Sequence, residues 1–301
     1  MTRLLTIFLL TFCMLTYQAE ISYAGYDKPY VGDLKKIRTK YEDTFIHLAL
    51  HHNLGYVEMR AANPYVDPWV PGAGTLITLP SRHILPDAPY KGLVINLPEM
   101  RLYYFPKDGS APETFPIGVG REGLDTPTGK TKVTRKKAGP SWRPTKRMRD
   151  EDPTLPTVVP AGPQNPLGTH ALYLGWPEYL IHGTNKPFGI GRRISSGCIR
   201  MYPHNIIALF DMVPTGTPVR VVDQPFKLAW IDDKLYLEAH PDLEQSLSME
   251  EMGEVKTPKI DDKDLELIKK FAGEWEKKVR WAAVRTAIRE RKGFPVEIAR
   301  R

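Results

Sequence analysis

Cysteine is nearly absent: 301 residues hold only Cys13 and Cys198. Cys13 lies in an N-terminal stretch with the form of a secretory leader. Arg3 supplies the positive start, Leu4 to Tyr17 are apolar, and Ser22-Tyr23-Ala24 is a small-x-small cleavage site. Removal of residues 1–24 as a signal peptide would leave one thiol and no possible internal disulfide. Because oxidising compartments favour pairing, a solitary thiol in an exported chain argues for a reactive role. Long apolar runs are also lacking. The leader's run is shorter than the ~20 residues a spanning helix needs, and nothing later reaches that length, so no transmembrane segment is expected after cleavage. No metal-ligand spacing is visible among the eight histidines, and His51-His52 lie far from the thiol, so neither metal nor cofactor is expected. Nucleic-acid motifs are missing too. The net charge of +7 therefore points to an anionic partner surface other than nucleic acid.

What is present concentrates between Ile181 and Met201, IHGTNKPFGIGRRISSGCIRM. His182 precedes Cys198 by sixteen positions, and Cys198 sits in Ser195-Ser196-Gly197-Cys198-Ile199-Arg200. An imidazole that takes a thiol's proton can lower its pKa from about 8.5 to roughly 3.5–7.5, which makes the two a candidate nucleophile and base. Gly197 lets the chain turn sharply and directs main-chain N–H groups toward a developing oxyanion, with Ser196 in the same loop. Arg200 has the fork geometry that pairs with a carboxylate.

The H-G-T-N and S-S-G-C-I-R elements at this spacing resemble the signature of the YkuD family of L,D-transpeptidases, from about Lys91 to Asp223. Asn165-Pro166-Leu167-Gly168 strengthens the likeness. Many members carry histidine where Ser196 stands, so no second histidine acts there. The resemblance implies acyl transfer on peptidoglycan stem peptides by Cys198 and His182. The base would be oriented by the carbonyl of Gly183 or by Thr184. Arg200, Ser195, Tyr173, His170 and Trp142 are expected to meet the substrate. Trp142 belongs to a basic, proline-containing segment, Arg135 to Thr145, that corresponds to a lid over the cleft.

Short strands separated by glycine and proline predict a mainly β catalytic domain, a sandwich or barrel, over 91–223. The expected strands are Leu93 to Leu97, Arg101 to Phe105, Thr114 to Gly120, Ala171 to Leu174, Tyr179 to Ile181 and Val219 to Val222, with a helix from His204 to Val213. Before them, 31–80 reads as a small α+β module of two short helices closing with Gly72 to Pro80. It resembles a glycan-binding LysM domain, although Glu42 stands where glycine is usual. Residues 224–301 are expected to add a hairpin around Asp232-Asp233 and a helix from Asp262 to Arg291.

The resemblance implies a thioester on Cys198 that releases D-alanine from a tetrapeptide stem. An amine then resolves it, from a neighbouring stem to give a 3-3 cross-link or from a lysine of an outer-membrane lipoprotein. Transfer to water, giving an L,D-carboxypeptidase or amidase, and a non-catalytic wall-binding scaffold are the alternatives. The expected location is the periplasm, and the expected partners are stem peptides and glycan strands.

Overall fold

The computed structural model describes residues 26–255 and 260–301; the leader and Cys13 lie outside the described residues. The chain opens with a two-residue strand β1 (Tyr30–Val31), followed by β2 (Lys35–Arg38), α1 (Phe45–His51), α2 (Tyr56–Ala62) and β3 (Leu76–Leu79). β2 and β3 pair antiparallel from Lys35↔Leu79 to Arg38↔Leu76, which makes a βααβ unit. Thr44 caps α1 by accepting from His47 N at 3.3 Å. Phe45, Leu48, Met59, Ile77 and Leu79 form the unit's own core. A short strand β4 (His83–Ile84) then returns to pair with β1.

The central body contains β5 (Gly92–Asn96), β6 (Arg101–Phe105), β7 (Glu113–Gly120), β8 (Gly129–Ala138), α3 (Lys146–Glu151), β9 (His170–Leu174), β10 (Leu180–His182), β11 (Arg193–Ser195), β12 (Ile199–Met201), α4 (Pro203–Met212) and β13 (Pro218–Val222). Nine strands form one sheet in the order β11-β7-β12-β10-β9-β8-β13-β5-β6, and β7 also pairs with β6, which closes it into a barrel. The expected β fold is therefore present. Alternation along the strands sends Leu93, Ile95, Leu102, Ile117, Leu172, Ile181 and Ile199 inward, where Ile206 and Leu209 of α4 cover them. A full exposure-to-burial transfer of one such side chain is worth about 1.5–3 kcal/mol, so this interior is the main support of the wall that carries the site.

Three expectations are corrected. Arg135 to Ala138 belong to β8, whose ladder runs from Val133↔Leu174 to Ala138↔His170, so the loop over the cleft starts after Gly139 rather than at Arg135. The last part holds β14 (Phe226–Ile231), β15 (Lys234–Ala239), α5 (Gln245–Met252), α6 (Asp262–Ala272), α7 (Trp281–Glu290) and β16 (Val296–Arg300). The single helix expected over 262–291 is broken at Gly273, whose φ of +57° ends α6 and starts a 3-10 segment. The hairpin about Asp232-Asp233 gains β16 as a third strand, which the sequence reading did not anticipate.

The three parts are joined by buried charge. Glu58 of α2 pairs with Arg101 at 2.8 Å, and Lys227 of β14 reaches Glu99 and Glu238 at 2.8 and 2.9 Å. His83, Tyr103 and His240 complete the cluster, and all of these side chains are buried. Main-chain contacts add to it: Tyr56 N and Val57 N donate to Ile190 O and Gly191 O, at 3.3 and 3.2 Å, in the segment that leads to Cys198.

Candidate active site

The barrel wall made by β9, β10 and β12 explains why His182 and Cys198 meet. β10 and β12 run parallel with Ile181 opposite Ile199 and His182 opposite Arg200. Ile181 and Ile199 point into the core, so Leu180, His182, Cys198 and Arg200 share the opposite face. β9 lies antiparallel on the other side with Ala171 opposite His182 and Tyr173 opposite Leu180, which brings Tyr173 to the same face. That face floors a cavity of about 1020 Å³, walled by Leu124, Asp125, Ser195 and Ser196 and roofed by Ser141 to Met148 of the loop that carries α3.

The turn bearing Cys198 is held by short-range bonds. Ser195 Oγ accepts from Gly197 N at 3.1 Å and donates to Cys198 O, while Gly197 O accepts from Thr126 Oγ1 at 2.8 Å. Gly197 has φ +101°, and a Cβ there would stand 2.9 Å from the Tyr179 ring, so only glycine fits. The Gly197 amide is thus engaged with Ser195, not free for an oxyanion as the sequence reading supposed. The thiol of Cys198 donates to Glu178 O at 3.3 Å, and no imidazole–thiol hydrogen bond is formed among the described residues. Cys198 lies on the shared face two residues before Arg200, the register partner of His182.

His182 is buried, with Nδ1 2.6 Å from Gly183 O, and the Leu167 carbonyl also faces the ring. Thr184 Oγ1 accepts from Lys186 N at 3.0 Å, and among the described residues no hydrogen bond joins it to the ring. Burial and then the charge of Arg200 hold the imidazole down to about 4 despite the two carbonyls, so it is neutral at pH 7. Burial pushes the Cys198 thiol up, against the Leu180 amide and Arg200, which pull it down. This corrects the expected low thiol pKa. The resting pair is neutral thiol and neutral imidazole, and proton transfer must accompany attack.

Arg200 is half-buried, its Nε is shielded from water, and it forms no ion pair or hydrogen bond among the described residues. Burial lowers its pKa, and a guanidinium in that state lacks only an anion. Tyr173 lines the cavity with Arg135 stacked 3.7 Å over its ring. Trp142 also lines it, with its main chain bridged to Val159. His170 does not reach the site. The alternation that aims Ala171 and Tyr173 at the cleft turns His170 to the other side, where its ring packs on Phe210 at 4.6 Å.

Reading by motif missed Glu178 and Leu180 and gave Leu167, quoted within its motif, no role of its own; all three meet the site through main-chain atoms and so leave no mark in residue type. It also missed Arg193, which bonds Gly120 O, Leu243 O and Asp125 and so ties the last part of the chain to the cavity wall. Among the described residues, one group of metal-ligating type does assemble: His83, Glu99 and Glu238 bring donor atoms within 4.8 Å of one another. The Lys227 ammonium already bridges both carboxylates there, so the cation of that cluster is the chain's own.

Among the described residues, a closed barrel sets a thiol, an imidazole and a guanidinium without a partner on the floor of a roofed cleft, an arrangement in which a thiol can serve as nucleophile. Residues 90–221 match the family model described as YkuD, the L,D-transpeptidase catalytic domain. The probable L,D-transpeptidase YbiS of Escherichia coli is 48% identical over 200 residues, which is 64% of this chain and 65% of that protein. A putative L,D-transpeptidase of Fuscovulum blasticum is 45% identical over 130 residues, 43% of this chain and 68% of that protein. The chain belongs to the YkuD family of L,D-transpeptidase catalytic domains. It spans somewhat under two thirds of the length of YbiS, the curated relative above. The NMR structure of the catalytic domain from Enterococcus faecium L,D-transpeptidase is 26% identical, covers 44% of this chain and 96% of that one, and has a TM-score of 0.35. Among the described residues, no helix is long and apolar enough to cross a membrane.

Proposed function

We propose that the chain is a peptidoglycan L,D-transpeptidase in which Cys198 is the nucleophile and His182 the base. The observation that carries this reading is the unpaired Arg200 beside Cys198 and His182 on the floor of the roofed cavity. Sγ leaves Glu178 O and attacks the carbonyl that precedes the terminal D-alanine of a tetrapeptide stem, while His182 takes the thiol proton. Main-chain amides of the 196–198 turn other than that of Gly197 hold the oxyanion, worth about 10²–10³ in rate for one donor. The C–N bond breaks, D-alanine leaves with the proton from His182, and a thioester remains. An amine then attacks the thioester, gives its proton to His182 and frees the thiol. Gly183 O keeps Nδ1 protonated, so that Nε2 is the basic nitrogen.

Arg200 receives a stem carboxylate, whose charge also relieves the depression that Arg200 imposes on His182. Substrate binding thus makes the base stronger when it is needed. Trp142 and its loop close over the thioester and limit water, which favours an amine acceptor. The amine belongs to a neighbouring stem or to a lipoprotein lysine, and the location is the periplasm. The domains run 31–80 for a glycan-docking LysM-like module, 91–223 for catalysis and 224–301 for the C-terminal extension.

Incubation of the 25–301 chain with purified tetrapeptide muropeptides tests the reading. Cross-linked dimers with released D-alanine are expected, and Cys198→Ala must abolish both. Tripeptides alone would replace transfer by hydrolysis, and unchanged substrate would refute catalysis.

A further inference from the structure

The loop roofing the cavity and the base beneath it are connected through one buried side chain, Asn165. It is fully buried, and its Nδ2 points to three carbonyls at the neck of the roof: Pro140 O at 2.7 Å on the entering segment, Pro160 O at 3.0 Å and Val159 O at 3.3 Å on the returning one. The same neck is closed by mutual main-chain bonds of Trp142 and Val159, 2.8 Å each way. On its other side Asn165 Oδ1 accepts from Leu167 N at 2.8 Å. The Leu167 carbonyl is one of the two that face the His182 ring. Gly168, at φ +65°, lies so close behind that a Cβ would stand 2.7 Å from Thr184 N and 2.9 Å from the Gly183 carbonyl carbon. Neck, carboxamide, Leu167 and the His182-Gly183-Thr184 backbone are therefore in continuous contact.

We propose that Asn165 is a positioning residue that makes the roof and the catalytic base one mechanical unit, so that displacement of the Trp142 loop is carried through Leu167 to the His182 ring. It touches neither substrate nor reacting atoms. An asparagine suits the task because a single planar group donates to both neck strands and accepts from Leu167, and no acceptor-only or apolar side chain does both. This rests on His182 being the base, and the experiment separates the two.

In the wild-type chain, native-state hydrogen exchange is expected to give the Trp142, Val159 and Leu167 amides one common protection, equal within threefold. Protection of Leu167 more than tenfold above that of the Trp142–Val159 pair would overturn the proposal. In Asn165→Ala the proportion of His182 with a proton on Nδ1, read from imidazole nitrogen resonances, is expected to fall. Turnover of tetrapeptide muropeptide should drop tenfold or more in kcat with less than threefold change in KM. Trp142→Ala, which alters the roof without cutting the link, should change KM and shift the imidazole resonances, and the same substitution added to Asn165→Ala should leave them where Asn165→Ala alone puts them. A variant that melts earlier yet keeps parental imidazole resonances and kcat would show a structural role alone and overturn the proposal. Asn165→Ser, which keeps an acceptor for Leu167 N but cannot span the neck, provides the comparison if Asn165→Ala does not fold. Absence of turnover in the parent would count against the transpeptidase reading, and the exchange and resonance measurements would still decide the coupling.

Discussion

His182 should leave a measurable mark on the acid stability of the whole chain. Its imidazole is held at about 4 in the fold, against 6.5 when free. Between those values the unfolded chain binds a proton that the native one refuses, so stability falls as pH drops from 6.5 to about 4 and is unaffected by this group outside that window. The gap of about 2.5 pH units at 1.36 kcal/mol each corresponds to roughly 3 kcal/mol, an order-of-magnitude figure for a buried ring. Urea unfolding of the parent and of His182→Gln at several pH values from 4 to 7 provides the assay. Because the carboxylates titrate in both chains, only the difference between the two curves belongs to His182. The parent is expected to lose about 3 kcal/mol more than the variant across the window. Parallel curves would refute both the buried neutral imidazole and the argument that the acid limb of acylation lies near 4 rather than near 6.5.

Arg200→Met should raise KM for the tetrapeptide by about 10- to 100-fold, the worth of a charged hydrogen bond, and move the acid limb upward because a cation beside His182 is gone; steady-state kinetics against pH reads both. Gly197→Ala puts a Cβ at φ +101° against the Tyr179 ring and is expected to cost ~1–3 kcal/mol in denaturant melts with loss of Cys198 acylation. Lys227→Met leaves Glu99 and Glu238 facing each other without their shared cation, so thermal unfolding should show about 3–5 kcal/mol of destabilisation, while a melting point near the parent's would refute the buried pairing.

Much of this arrangement is legible in residue order. The strand ending at His182 and the turn carrying Cys198 follow from alternation and from one glycine. The β5–β6 hairpin follows from the two expected strands on either side of Pro98-Glu99-Met100, where Met100 adopts φ +50°. The length of β8 is not legible, because its Arg, Lys and Thr residues lie on a solvated outer wall and read as loop; only its pairing with β9 and β13 makes it a strand. His170 was misplaced for a related reason. Nearness in sequence to Gly168 says nothing about parity, and parity sends the ring to α4. The weights that set the thiol and imidazole pKa values are equally invisible, since the burial of both groups depends on neighbours that only the fold brings together.

The Glu58–Arg101 and Glu99–Lys227–Glu238 pairs carry a lesson for anyone who would cut this chain at its apparent seams. Each seam passes between a charge and its counter-charge, both sealed from water. Excision of the barrel at 91 and 223 would leave Arg101 and Glu99 without the counter-charges of Glu58 and Lys227. What reads along the polymer as three modules therefore behaves as one electrostatic solid, and the smallest unit that keeps the site intact includes the segments on either side of it.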